Sequence, residues 1–127
     1  AHFAMTCAAI ATGTIVTGAG PHAGDELADR LSIAITTAAR IHGATVMATI
    51  VIALLIGWTV RNQVADRVAI QRSLQLWIVA GCAQAALGYV QYFNDVPALL
   101  VGLHVAGATL VMWASAALAL DLRRVES

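Results

Sequence analysis

The sequence predicts an all-α protein, a bundle of four transmembrane helices. Hydrophobic residues make up 60% of the 127 positions and charged residues only 11%. A soluble domain of this size exposes too much surface to bury so large an apolar share. The apolar residues also fall into four stretches, each close to the ~20 residues that cross a bilayer as a helix. The zero net charge, with no basic surplus, argues against a nucleic-acid partner.

The four stretches follow one another along a single predicted domain, residues 1–127. They cover about residues 1–18, 33–60, 73–91 and 97–120. The first lacks a charged segment before it, so we interpret it as a span and not as a cleaved signal. Because the chain begins at Ala1 and not at Met, we expect a processed product or part of a longer chain.

The basic residues predict the orientation of the spans. One side of the predicted bundle carries Arg61, Arg67, Arg72, Arg123 and Arg124. The opposite loops carry Asp25, Glu26, Asp29 and Asp95 against Arg30 and Arg40. Since cytoplasmic loops are enriched in Lys and Arg, both termini are expected in the cytoplasm. Trp58 near the inner boundary and Tyr89 and Tyr92 near the outer one fit aromatic belts.

Two histidines lie at the same predicted depth. His42 precedes Arg61 by 19 residues and His104 precedes Asp121 by 17. At 1.5 Å per residue these separations are about 28 Å and about 25 Å. The second and fourth spans run in the same direction, so both imidazoles are expected in the outer leaflet. Ionisable groups at membrane depth are costly and suggest a function.

A pair of imidazoles is too small a ligand set for zinc, which takes three or four protein ligands. No Asp, Glu or Cys at that depth supplies the remainder. A haem iron needs only two axial ligands, and helical bundles provide them from facing helices. Small residues near the pair leave room for a flat ring: Ala38, Ala39, Gly107 and Ala108. We therefore predict that His42 and His104 ligate one haem iron.

Three further residues have two interpretations each. Gln84 in the third span either hydrogen-bonds a ligand imidazole or joins helices by packing. Arg40 either pairs with a haem propionate or is an interfacial arginine whose head reaches the headgroups. His22 in the first outer loop is either solvated or close to the haem edge. All three are candidate cofactor-binding residues.

Several motifs in this order resemble the haem A synthase family, in its C-terminal half. The most specific is the loop Gly20-Pro21-His22-Ala23-Gly24-Asp25, preceded by Thr12 to Ala19. Arg40-Ile41-His42-Gly43 is similar to the family's first haem-ligand motif in that half. Gln84 to Gly88, Gln91-Tyr92, and Pro97 to Leu110 with His104 resemble its last two spans. The resemblance covers essentially the whole chain.

The resemblance implies an eight-helix protein made of two similar four-helix halves. The N-terminal half binds the substrate, haem O, and the C-terminal half holds a haem b cofactor. The reaction oxidises a porphyrin methyl group to a formyl group, giving haem A for terminal oxidases. Carried over to this chain, His42 and His104 would be the axial ligands of haem b.

Two departures from the family pattern bear on catalysis. In the N-terminal half, the family places a catalytic glutamate one turn before the first histidine, and here that position is Ala39. Some members also carry a cysteine pair in the outer loop, and residues 18–40 contain none. Both agree with a C-terminal half that is not catalytically sufficient, so no catalytic residue is assigned to this chain.

The predicted function is therefore the haem b half of haem A synthase. The expected partners are an N-terminal four-helix half, fused or separate, the substrate haem O, the lipid bilayer and, as a candidate, haem O synthase. The expected location is a bacterial cytoplasmic membrane. One alternative is a b-type cytochrome subunit that exchanges electrons with quinone. Another is a transporter or structural bundle, which is weakened because the spans contain no Asp, Glu or Lys.

Overall fold

The computed structural model describes residues 1–21, 29–62 and 67–126, and every regular element in these ranges is an α-helix. The helices are α1 (His2–Ala19), α2 (Ile35–Val60), α3 (Arg67–Phe93) and α4 (Ala98–Glu126). All four are long and apolar enough to cross a membrane. The predicted fold class, an all-α bundle of four transmembrane helices, is confirmed.

The helices extend beyond the apolar stretches at one end of the bundle. α3 begins at Arg67, six residues before the predicted span, and α4 continues six residues past position 120. A charged residue marks the end of an apolar stretch in the sequence. It need not terminate the helix, because arginine has a high helix propensity. Arg123 and Arg124 also lie in the last turn of α4, where positive charge interacts favourably with the helix dipole. Asp121 consequently lies inside α4.

The four helices form a square. Each helix packs against its neighbour in the chain, and α1 closes the square by packing against α4. Among the described residues, no close backbone contact links α2 to α4 or α1 to α3, so these pairs lie across the diagonals. Successive helices are antiparallel, as in up-and-down bundles, and α2 and α4 therefore run in the same direction.

The two ends of the bundle differ in packing. We call the end with Arg61, Arg67 and Arg123 the basic end, and the end with Asp29 and Asn94 the distal end. The large buried apolar side chains of the described residues lie toward the basic end, in a cluster with Ala53 and Ala114: Val60, Ile70, Leu74, Trp77 and Leu118. Nearer the distal end, the buried apolar side chains are alanines, Ala9 and Ala38. Among the described residues, the fully buried apolar side chains of the distal half are therefore smaller than those toward the basic end.

A tight turn joins α3 to α4 at the distal end. Asp95 and Val96 both have left-handed backbone conformations, with φ of 58° and 55°. The N–H of Val96 donates to the carbonyl oxygen of Gln91 at 2.8 Å, which closes the end of α3. A β-branched residue is rarely found in this conformation, so the turn is strained at Val96. It aligns the two helices so that Gly88 in α3 lies against His104 in α4.

Candidate functional site

His42 and His104 lie at nearly the same distance from the distal end. His42 is seven residues into α2, counted from Ile35, and His104 is six residues into α4, counted from Ala98. At 1.5 Å per residue, these positions are about 10 Å and about 9 Å along their helices. Both side chains are half-buried. One diagonal of the square therefore carries an imidazole at each corner.

The ring of His42 is oriented by hydrogen bonds to α1. Its Nδ1 lies 2.9 Å from the carbonyl oxygen of Ala9, which can only accept a hydrogen. Nδ1 therefore carries the proton, and Nε2 keeps its lone pair. Within the described part of the chain, Nε2 has no hydrogen-bond partner. Metal-binding histidines commonly have this arrangement, with one nitrogen held by a backbone carbonyl and the other free to bind.

Two threonines extend the polar contact around His42. The Oγ1 atom of Thr12 lies 3.3 Å from His42 Nδ1 and 2.9 Å from the Oγ1 of Thr45. Thr45 also donates to the carbonyl oxygen of His42 at 2.7 Å. These contacts link α1 to α2 beside the ring, and rotation of the imidazole would break both contacts of Nδ1, to Ala9 and to Thr12.

Each histidine ring packs against a glycine of the preceding helix. A Cβ atom added to Gly13 in α1 would lie 3.2 Å from Cε1 of His42. One added to Gly88 in α3 would lie 3.1 Å from Cε1 of His104. The α1–α2 and α3–α4 hairpins thus hold their histidines in the same way. The glycines allow a close approach between helices that any side chain would obstruct.

The polar surroundings of His104 differ from those of His42. Nδ1 of His104 is buried and has no hydrogen-bond partner within the described residues. Gln84 is half-buried in α3, one turn before Gly88. Its amide occupies the space beside Gly107, so a Cβ atom added at Gly107 would overlap the amide. The Gln84 amide forms no hydrogen bond to any described residue, including His104. Gln84 therefore lies near the site but packs against α4 in this conformation.

The remaining two candidate residues are less closely tied to the pair. Arg40 lies on α2 two residues before His42; its side chain is exposed and forms no hydrogen bond or ion pair with any described residue. His22 falls among residues 22–28, outside the described part of the chain. The sequence-based interpretations of both residues stay predictions.

A second buried polar group lies toward the basic end and was not predicted from the sequence. His2 and Thr6 in α1 meet Ser115 in α4, with His2 Nδ1 and Thr6 Oγ1 at 3.2 Å and 3.0 Å from Ser115 Oγ. The His2 ring also packs edge to face on Trp77 in α3. The available signal was the spacing of His2 and Thr6, which puts both on one face of α1.

In the ranges that the structure describes, no group of three or more His, Cys, Asp or Glu side chains is placed to hold a metal ion. Those ranges thus contain two imidazoles at one level of the bundle but no ligand set of the size that zinc takes. Comparison of the chain with protein-family models, curated proteins and solved structures returned no match.

Proposed function

We propose that the chain binds one haem b across the α2–α4 diagonal, with His42 and His104 as its axial ligands. The observation that carries the proposal is the hydrogen bond from His42 Nδ1 to the Ala9 carbonyl oxygen, opposite a second histidine at the same level. It leaves Nε2 of His42 unprotonated, the state in which an imidazole binds iron. The diagonal separates α2 from α4, which suits a ligand between them.

The surrounding residues fit a flat, largely apolar group. Gly13 and Gly88 leave room for the two rings to pack against α1 and α3, and Ala38 adds little volume near His42. Arg40 lies toward the distal end from His42, where its guanidinium could form a bidentate pair with a propionate. Bound in this way, haem b would supply a one-electron redox centre, whose potential the ligands and burial adjust. With both histidines bound to it, the iron would be suited to electron transfer and not to chemistry on a substrate.

The resemblance to haem A synthases extends the proposal to a reaction. We infer that this chain is the cofactor half of such an enzyme and exchanges electrons with a second four-helix half that oxidises haem O. The arginines of the basic end then face the cytoplasm of a bacterial cell, with both termini. The histidine pair lies in the outer half of the membrane.

Haem binding is tested by the spectrum of the purified protein in lipid nanodiscs. We expect a low-spin, bis-histidine b-type spectrum, and a decrease in haem content of at least about tenfold in His42→Gly and His104→Gly. Added imidazole should restore the spectrum of each variant, which separates a lost ligand from a lost fold. Replacement of His22 should leave the low-spin spectrum largely intact.

Thr36→Ala in α2 and Thr109→Ala in α4 are matched controls, because both side chains are exposed on the same two helices. Both should retain the wild-type haem content. Wild-type haem content and spectrum in both histidine variants would contradict the assignment.

A further inference from the structure

The buried polar group toward the basic end is separate from the histidine pair. It consists of His2, Thr6, Trp77 and Ser115, each 5% exposed or less. Along α1, His2 is ten residues from Thr12, a distance of about 15 Å. The four side chains come from α1, α3 and α4, so they connect the α1–α2 hairpin to the α3–α4 hairpin.

The hydrogen bonds in this group determine which nitrogen of His2 carries the proton. The Oγ of Ser115 donates its only hydrogen to Thr6 Oγ1, 3.0 Å away. Ser115 can therefore only accept from His2 Nδ1, which lies 3.2 Å from it. The proton is thus on Nδ1, and Nε2 is left as a hydrogen-bond acceptor.

Two nitrogens of the group have no partner among the described residues. They are Nε2 of His2, an acceptor, and Nε1 of Trp77, a donor, and both are inaccessible to solvent. The two rings are in edge-to-face contact with their centroids 4.6 Å apart. A buried polar atom without a partner costs about 1–3 kcal/mol, and this cost arises once on each of two rings in contact. The two requirements are complementary, because one ring has an acceptor without a donor and the other has a donor without an acceptor.

We propose that a single buried water molecule binds here, accepting a hydrogen bond from Trp77 Nε1–H and donating one to His2 Nε2. Water both donates and accepts, and buried waters typically bridge polar groups that lack protein partners. The occupant must be this small because both rings are almost fully enclosed by the bundle. The resulting chain runs from Trp77 through water, His2 and Ser115 to Thr6. It joins the two hairpins that each carry one histidine of the candidate site.

The site can be observed directly by NMR of the full protein in lipid nanodiscs, with ¹⁵N-labelled tryptophan and histidine. The chain has three tryptophans, so the Trp77 indole signal is identified by its loss in Trp77→Phe. We expect this indole N–H to show magnetisation transfer to a bound water, and His2 to be protonated on Nδ1. The indole of Trp113, whose side chain is 63% exposed on α4, serves as the control for exchange with the environment.

Two spectroscopic results would overturn the proposal. A scalar coupling between the Trp77 indole nitrogen and His2 Nε2 would show a direct hydrogen bond without water. The second result is the absence of magnetisation transfer from water to the Trp77 indole N–H, together with a His2 ring protonated on Nε2. In that state His2 Nε2 could not accept a hydrogen bond from water.

A second test uses His2→Phe, Trp77→Phe and the double variant, with the unfolding midpoint as the readout. If one water depends on both rings, removing either ring abolishes the bridge. The double variant should then be destabilised by clearly less than the sum of the two single effects. Trp113→Phe combined with His2→Phe is the control pair and should be additive. Additivity of His2→Phe and Trp77→Phe would contradict a shared water.

Discussion

His42 donates a hydrogen bond from Nδ1 to the carbonyl oxygen of Ala9, 2.9 Å away in the neighbouring helix. This acceptor belongs to the backbone of α1, so it is present whatever side chain occupies position 9. The bond leaves Nε2 of His42 without a proton. It also sets the orientation of the ring, and it can form only because α1 and α2 pack closely. The orientation of the His42 ring therefore depends on the small residues between these helices.

We predict that Gly13→Ala and Gly88→Ala weaken haem binding. Each new methyl group would lie 3.2 Å or 3.1 Å from Cε1 of its histidine, closer than an ordinary contact, so the ring must shift. Changes next to a metal ligand typically reduce affinity by about 10–100-fold. Haem titration of the apoprotein measures this effect, and the shifted ring should also change the low-spin spectrum.

Gly43→Ala and Gly102→Ala are the controls for these two substitutions. Both glycines lie in the same helices as the histidines, and a Cβ atom at either would have no neighbour within 4 Å. Replacing a helical glycine with alanine removes backbone freedom and should stabilise the helix by about 0.5–1 kcal/mol. Unchanged haem affinity in Gly13→Ala and Gly88→Ala would mean that the rings are not held by these glycines.

The packing of Gln84 against Gly107 leads to a second prediction. A methyl group at Gly107 would overlap the Gln84 amide, so Gly107→Ala should destabilise the protein by about 1–3 kcal/mol. Shortening the glutamine in the double variant Gly107→Ala/Gln84→Ala should recover most of the lost stability. The measurement is the unfolding free energy in each variant. Equal destabilisation with and without the Gln84 side chain would rule out this contact as the cause.

The fold class and the level of the histidine pair were predictable from the sequence because both depend on positions along helices. Apolar length defines a span, and counting 1.5 Å per residue gives the depth of His42 and His104. The ends of α3 and α4 were less predictable. Arg72 and Asp121 interrupt the apolar pattern but not the helix.

The details of the site required the packed structure. The partner of His42 is a backbone carbonyl, which no residue type at position 9 indicates. The cluster around Ser115 joins residues 113 positions apart in the chain, and spacing within one helix cannot reveal such a contact. Gln84 was a candidate partner for an imidazole, and its observed position against Gly107 depends on the close approach of α3 and α4.

A third prediction concerns orientation in the membrane. The basic end carries the arginines near Asn62, whereas Asn94 lies in the short turn at the other end. Since positively charged loops are retained in the cytoplasm, a cysteine at Asn94 should react with an impermeant reagent from outside the cell. A cysteine at Asn62 should react only after the membrane is opened. Cys7 and Cys82 are replaced first in both proteins, and the opposite labelling pattern would reverse the proposed topology.

The last prediction separates the cofactor half from a complete enzyme. We expect residues 1–127 alone to bind haem b without converting haem O to haem A. Two histidines would occupy both axial positions of the iron, and the position one turn before His42 is Ala39, which provides no acid or base. Co-expression with a four-helix half that binds haem O should yield haem A, detected in the extracted pigments. His104→Ala in the same cells should abolish it, and Thr109→Ala should not. Haem A made by residues 1–127 alone would show that this chain carries out the oxidation without the second half. Haem b binding without haem A in any combination would favour an electron-transferring b-type cytochrome.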